Sequence, residues 1–228
     1  MSNDGGPLRE ALCWLTLYKE LGIEELEAVR PPASEGMAAS SSRVAAELTK
    51  LRDEDLGECT RCGLCAGRNK IVFGAGDPTA RLLFIGEGPG ADEDRQGEPF
   101  VGRAGQLLDR IIAAMGLSRA EVYIANIVKC RPPGNRAPLP DEVGACLPFL
   151  ERQIEIIQPE VIVTLGRSAL QSLRGESVPS ITRARGQWFR YGSIPAIATF
   201  HPAYLLRSPE AKRPVWEDMQ EVMAHLGL

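Results

Sequence analysis

Four short apolar runs, each passing straight into a polar or glycine-rich motif, limit the folds open to this chain. They are Arg81–Glu87 (RLLFIGE), Val122–Val128 (VYIANIV), Val161–Gly166 (VIVTLG) and Ala196–His201 (AIATFH). Runs so short and so uniformly apolar, separated by stretches with helical spacing, predict parallel strands covered on both faces. The strand–helix alternation predicts a three-layer α/β domain. In open α/β sheets ligands bind beyond the carboxyl ends of the strands. The candidate site is therefore built from GEGPG (Gly86–Gly90), from Asn126 with KCRPP behind it, and from HPAYLLR (His201–Arg207).

Helices are expected over Gly105–Met115, Asp141–Ile157, Arg167–Leu173 and Val215–Leu226. Upstream, residues 7–28 carry Leu8, Leu12 and Leu15 on one helical face, and Pro31–Ser42 (PPASEGMAASSS) reads as a linker. Residues 1–42 are thus expected to form a helical extension and linker, and 43–228 the α/β domain, opening with a helix over Arg43–Asp55.

No stretch approaches the roughly 18 apolar residues of a membrane span, so no membrane association is expected. MSNDGGPLRE lacks a basic segment followed by an apolar core, so the expected compartment is the cytoplasm. The net charge of −4 is uneven: residues 1–58 hold 6 Lys/Arg against 12 Asp/Glu, the remainder 20 against 18. Two basic segments, Lys129–Arg136 (KCRPPGNR) and Ile181–Arg190 (ITRARGQWFR), could meet phosphates or could be solvated loops.

The six cysteines are Cys13, Cys59, Cys62, Cys65, Cys130 and Cys146. In a reducing compartment clustered cysteines bind metal or do redox work more often than they pair. Cys59-x₂-Cys62 places two sulfurs on one turn, while Cys130 and Cys146 are scattered ligand candidates. Zinc usually recruits a second close pair, absent here; an iron–sulfur cluster tolerates one close pair and two distant ligands. Spacing favours the cluster over zinc or no metal. Cys65 begins a ferredoxin-like run whose fourth member would be Asn69, so that motif is incomplete, and Cys13 reads as a core thiol.

Gly86-Glu87-Gly88-Pro89-Gly90-Ala91 formally satisfies the dinucleotide fingerprint. The reading fails on context: ADEDRQGEPF is expected to form no helix behind it, and its acids would repel a pyrophosphate. The glycines instead let the backbone approach a flat ligand, with Glu87 and Phe100 facing it. Taken singly, Glu87 reads as a loop acid, Phe100 as core, Asn126 as an amide serving the loop and His201 as structural.

Together, GEGPGADEDRQGEPFVGRAGQLLD, YIANIVKCRPPGNRAPLPDE and HPAYLLR closely resemble the family 4 uracil-DNA glycosylases, over roughly Cys59 to Asp218. The resemblance implies an α/β/α fold around a central four-stranded parallel sheet, and excision of uracil from single- or double-stranded DNA by a monomer. It also implies a 4Fe-4S cluster on Cys59, Cys62, Cys130 and Cys146, with Cys65 outside the set. The pocket it implies comprises Gly86, Glu87, Gly88, Phe100, Asn126 and His201, with Glu87, Asn126 and His201 in catalytic roles. Phe100 would stack on the base, Asn126 would read its edge and His201 would donate to O2. Glu87 would position water, stabilise the cationic sugar or crowd thymine's methyl. DNA would be held by Lys129, Arg131, Arg136 and Arg207, with Leu205 or Leu206 as a wedge in the stack. Two other classes compete: a non-catalytic iron–sulfur DNA-binding or redox module, and a zinc-bound nucleotide-binding protein.

Overall fold

The computed structural model describes residues 37–175, 178 and 180–228; the expected helix over residues 7–28 lies outside them. Helix α1 (Met37–Lys50) continues into a wider π-type turn, Leu51–Leu56. It starts inside the segment expected to be linker; at its far end Leu48, with Leu51 and Leu56 of the π-type turn, buries against Phe149 and Leu150. Met37–Ser42, expected from composition to be linker, is helical in the structure.

Thereafter come β1 (Ala75–Gly76), β2 (Leu82–Gly86), α2 (Ala91–Gln96), α3 (Arg103–Ala114) and β3 (Tyr123–Asn126). These are followed by α4 (Pro140–Ile157), β4 (Val161–Leu165), α5 (Arg167–Arg174), α6 (Ile181–Ala184) and β5 (Trp188–Tyr191). The chain closes with β6 (Ile194–Thr199), α7 (Pro202–Leu205) and α8 (Lys212–Leu226).

The sheet order is β1-β3-β2-β4-β6-β5. The four anticipated strands form its parallel centre, β3-β2-β4-β6, and two short antiparallel strands extend its edges. The strand period of two divides the apolar runs between two cores. Leu82 and Phe84 of β2 pack beneath α3, α7 and α8, whereas Leu83 and Ile85 pack beneath α1 and α4. Both faces are covered, which is why the runs are continuous rather than alternating.

The edge strands carry weaker signals. β1 has two residues, and its Gly76 (φ +131°) lies so close to β3 that a Cβ would sit 1.9 Å from the Val122 carbonyl. β5 joins β6 through Gly192-Ser193, with Gly192 at φ +57°, a glycine-led hairpin turn readable in the sequence.

Candidate active site

Strand β2 lies at the point where the chain reverses direction across the sheet: β3 pairs on one side of it and β4 on the other. The carboxyl ends of β2, β3, β4 and β6 deliver Glu87, Asn126, Gly166 and His201 to one cleft of about 530 Å³, with Phe100 in its wall. Gly88, Glu93, Arg136, Arg167, Ser168 and Arg207 line the remainder.

Asn126 is the last residue of β3 and only 1% exposed. Its Oδ1 is buried and has no hydrogen-bond partner. A buried amide oxygen left unpaired costs about 1–3 kcal/mol, so this atom is poised for a ligand. Gly86, its register partner on β2, makes room for it: a Cβ there would stand 2.4 Å from Oδ1 and 2.6 Å from the Phe100 ring. A Cβ at Gly88 would stand 2.7 Å from Val128.

Phe100 has φ +52°, a conformation strained for a bulky residue. Such a conformer costs on the order of 1–3 kcal/mol and persists only where its surroundings enforce it. Arg119 does so. Its guanidinium donates to the carbonyls of Pro99 and Phe100 and is itself held by Asp109 at 2.7 Å. Gly105 completes the fit, since a Cβ there would lie 1.8 Å from the Phe100 carbonyl oxygen. Sequence reasoning passed over Arg119, because its partners lie 10–20 residues away, Asp109 on α3 and Pro99 and Phe100 in the loop before it.

The residues after Gly90 do form a helix, α2, correcting the expectation that none follows the glycine loop. One local and one long-range feature hold it without an apolar stripe: Gly97 closes it in the left-handed conformation, and buried Asp94 accepts from the backbone N–H of Asn69, 25 residues earlier, at 2.9 Å. Asp92, Glu93 and Asp94 occupy its first turn, so it offers no anion site. Glu93 is not a repelling bystander either. Its Oε1 accepts from the N–H groups of Val101 and Gly102, at 3.0 and 2.9 Å, where α3 begins.

His201 caps α7, its Nδ1 accepting from the Ala203 N–H at 3.1 Å. In the neutral ring the proton therefore resides on Nε2. Burial, reinforced by the charge of Arg207 and opposed by Glu93, pushes the imidazole down to about 4. The ring is a neutral N–H donor, its centroid 5.5 Å from that of Phe100.

Two expected DNA contacts are displaced. Lys129 is 0% exposed; its Nζ donates to the Asn126 carbonyl at 2.9 Å and to Gln153 Oε1 at 2.6 Å. Burial pushes its ammonium down to about 8. It cannot reach a phosphate. Leu205 is likewise 0% exposed, because α7 turns it into the core beneath α3. Leu206 is partly buried against the same core, while Tyr204, passed over in the sequence, is 39% exposed beside them.

Arg207 is exposed at the cleft. Arg131 holds Asn135 in the loop after β3, and Arg136 is paired with Glu142 at 2.6 and 2.8 Å. The second basic segment is diverted: Arg185 binds the buried Asp218, which also accepts from Thr199, and Arg190 folds back on the Ser193 carbonyl.

On the far side of β3, Cys59, Cys62, Cys65, Cys130 and Cys146 line one small cavity walled by Leu56, Leu64 and Ala145. None of the five forms a disulfide. Two N–H donors point at sulfur: Lys129 N to Cys146 Sγ at 3.2 Å and Arg68 Nη1 to Cys130 Sγ at 3.7 Å. Burial pushes the Cys130 thiol up to about 11 and raises that of Cys146. Among the described residues no three His, Cys, Asp or Glu side chains close around a single metal ion.

A doubly covered parallel sheet with a slot at its switch point, one unpaired amide inside and arginines at the mouth, defines a class: α/β proteins that hold a flat polar ring at the sheet's carboxyl edge. Residues 73–220 match the family model described as the uracil DNA glycosylase superfamily. A type-4 uracil-DNA glycosylase of Thermotoga maritima is 46% identical over 185 residues, covering 79% of this chain and 95% of that protein. One from Sulfurisphaera tokodaii is 44% identical over 183 residues, covering 77% and 83%. A type-5 uracil-DNA glycosylase of Thermus thermophilus is 38% identical over 117 residues, covering 45% and 53%. The chain belongs to the uracil DNA glycosylase superfamily, and within it to the type-4 family.

Proposed function

We propose that the protein hydrolyses the N-glycosidic bond of uracil in DNA, leaving an abasic site. The observation that carries this reading is the buried, unpaired Asn126 Oδ1 in the cleft. An amide presents one acceptor and two donors. Uracil answers with N3–H for Oδ1 and O4 for the amide N–H. Cytosine offers an acceptor and a donor in the opposite places, and the mismatch would strand buried polar groups on both sides.

To reach this slot the nucleotide must leave the base stack or come from a single strand. Phe100 supplies a face for the ring. As the C1′–N1 bond lengthens, its electron pair moves into the uracil ring and charge accumulates on O2. A neutral His201, with Nε2–H outward, stabilises that charge by hydrogen bonding, which is strongest where water is excluded. Water adds to C1′ of the oxocarbenium-like sugar and loses its proton. Glu87, in the wall of the cleft, is assigned to orient that water or oppose the sugar's positive charge. Arg131, Arg136 and Arg207 are assigned to phosphate and Leu206 to the gap left in the stack, with Tyr204 beside it.

The cysteine cavity suits a 4Fe-4S cluster held by Cys59, Cys62, Cys130 and Cys146. Its walls are apolar, two N–H groups face sulfur, and the ligands of a polynuclear cluster stand farther apart than the roughly 2.3 Å shell of one zinc ion permits. When bound, the cluster would supply cross-linking of the loops around it rather than redox chemistry.

Uracil release from a labelled single-stranded oligonucleotide, read by alkaline cleavage at the abasic site, tests the proposal. Strands carrying thymine or cytosine and a His201→Ala variant serve as controls. Release confined to uracil and lost in the variant supports it. No release from protein with stoichiometric iron and sulfide refutes it.

A further inference from the structure

The buried Lys129 is unused by the chemistry above, yet it stands between the cysteine cavity and the base-reading amide. Strand β1 pairs with β3 only at Tyr123 and Ile124. Beyond that point no strand among the described residues pairs with the outer side of β3. The peptide joining Asn126 to Ile127 points its N–H inward, to the Gly86 carbonyl at 2.9 Å. Its carbonyl must therefore point outward, where the sheet supplies no donor. Lys129 Nζ fills that position at 2.9 Å.

The ammonium is anchored in turn. Gln153 Oε1 accepts from it at 2.6 Å, and the Phe73 ring lies 5.9 Å from it. Gln153 is fixed by donating to the Phe73 carbonyl at 3.0 Å and to the Tyr123 hydroxyl oxygen at 3.3 Å. At its other end Lys129 belongs to the cysteine loop: its N–H donates to Cys146 Sγ, and Cys130 follows it. Its carbonyl accepts from Val72 at 2.8 Å. A fully buried lysine is expensive, and a hydrophobic side chain would fill this space more cheaply.

We propose that Lys129 is a positioning residue that sets the orientation of the Asn126 amide and so couples the cysteine cavity to base selection. The mechanism is the terminal peptide of β3. Removing its outward donor leaves that peptide held only by the Ile127 N–H bond to Gly86, and the loosened backbone at Asn126 widens the range of positions its side chain samples. This inference rests on Asn126 as the base-reading group.

The test pairs Lys129→Met, which keeps length and burial, with Gln153→Met, which touches neither cleft nor cysteines. Two measurements separate this inference from the functional reading. The first is single-turnover and steady-state excision on uracil and cytosine strands, with thermal melting and iron content in parallel. In folded, iron-replete variants kcat falls about 10- to 100-fold, KM changes little, and the uracil-to-cytosine ratio narrows. The second is the ¹⁵N side-chain amide resonance of Asn126 in the free protein, identified by its loss in Asn126→Ala. A sharp signal in the wild type that shifts or broadens in both variants supports the coupling even if no uracil is released. An unmoved resonance, or variants with wild-type kcat and base selectivity, overturns it. If Lys129→Met does not fold, the Gln153→Met resonance decides.

Discussion

Asn126→Ala isolates the atom on which the functional reading depends. In the free protein Asn126 Oδ1 is buried without a partner, so the substitution removes an unmet polar group as well as a side chain. Stability should hold or rise by up to about 1 kcal/mol, at the low end of the penalty for such a group. On the substrate the sign reverses. Two hydrogen bonds to uracil vanish, leaving N3–H and O4 unpaired in a slot where Asn126 is 1% exposed. At about 1–3 kcal/mol for each orphaned group, kcat/KM falls by about 2–6 kcal/mol, roughly 30-fold to a few times 10⁴-fold at 1.36 kcal/mol per decade. Selectivity against cytosine narrows too, because the amide that opposed it is gone. Single-turnover excision on uracil and cytosine strands, with thermal melting of the same preparations, measures all three quantities. A variant that excises uracil at the wild-type rate would refute the assignment. So would one whose activity loss is matched by a lowered melting temperature, since that would make Asn126 a structural amide.

Gly86→Ala puts a methyl 2.4 Å from Asn126 Oδ1 and 2.6 Å from Phe100; activity should collapse while the melting temperature falls only modestly, as measured by excision and calorimetry together. Arg119→Ala releases the carbonyls of Pro99 and Phe100, and should cost about 2–3 kcal/mol in denaturant unfolding. For His201, burial places the folded-state value near 4, below the ordinary 6.5. The folded protein thus binds fewer protons than the unfolded chain between those values, so its stability declines as pH falls from about 6.5 to 4. Over the same window the neutral donor persists, and a pH–rate profile should show no histidine inflection above about pH 5; an inflection near 6.5 that disappears in His201→Ala would contradict the buried-donor assignment. Cys146→Ser should lose iron and brown colour on purification and melt at lower temperature, whereas Cys65→Ser should retain both.

Much of this protein is written locally. The four apolar runs fixed the parallel strands to within two residues, because strands buried on both faces have no choice but to be apolar throughout. Their polar sequels located the cleft, because side chains beyond a strand's carboxyl end have left the sheet and face whatever lies above it. Glu87, Asn126 and His201 were legible for that reason, and Phe100 through the motif around it.

What escaped the sequence depends on partners distant along the chain. The Lys129-Cys130-Arg131 run contains two cations that look alike, but one is drawn inward by Gln153, 24 residues away, and the other stays in the loop with Asn135. Leu205 and Leu206 are adjacent and chemically identical; one turn of α7 buries the first and leaves the second partly exposed. Arg119 acquires meaning only once Phe100 is seen in a positive-φ conformation that needs holding. Sequence by itself determined which chemical groups reach the end of the sheet, since that follows from strand period and apolarity. Tertiary structure alone decided which of them are left unpaired and which are spent on the protein's own carbonyls, since a hydrogen bond has a direction and a length that only folded neighbours can satisfy.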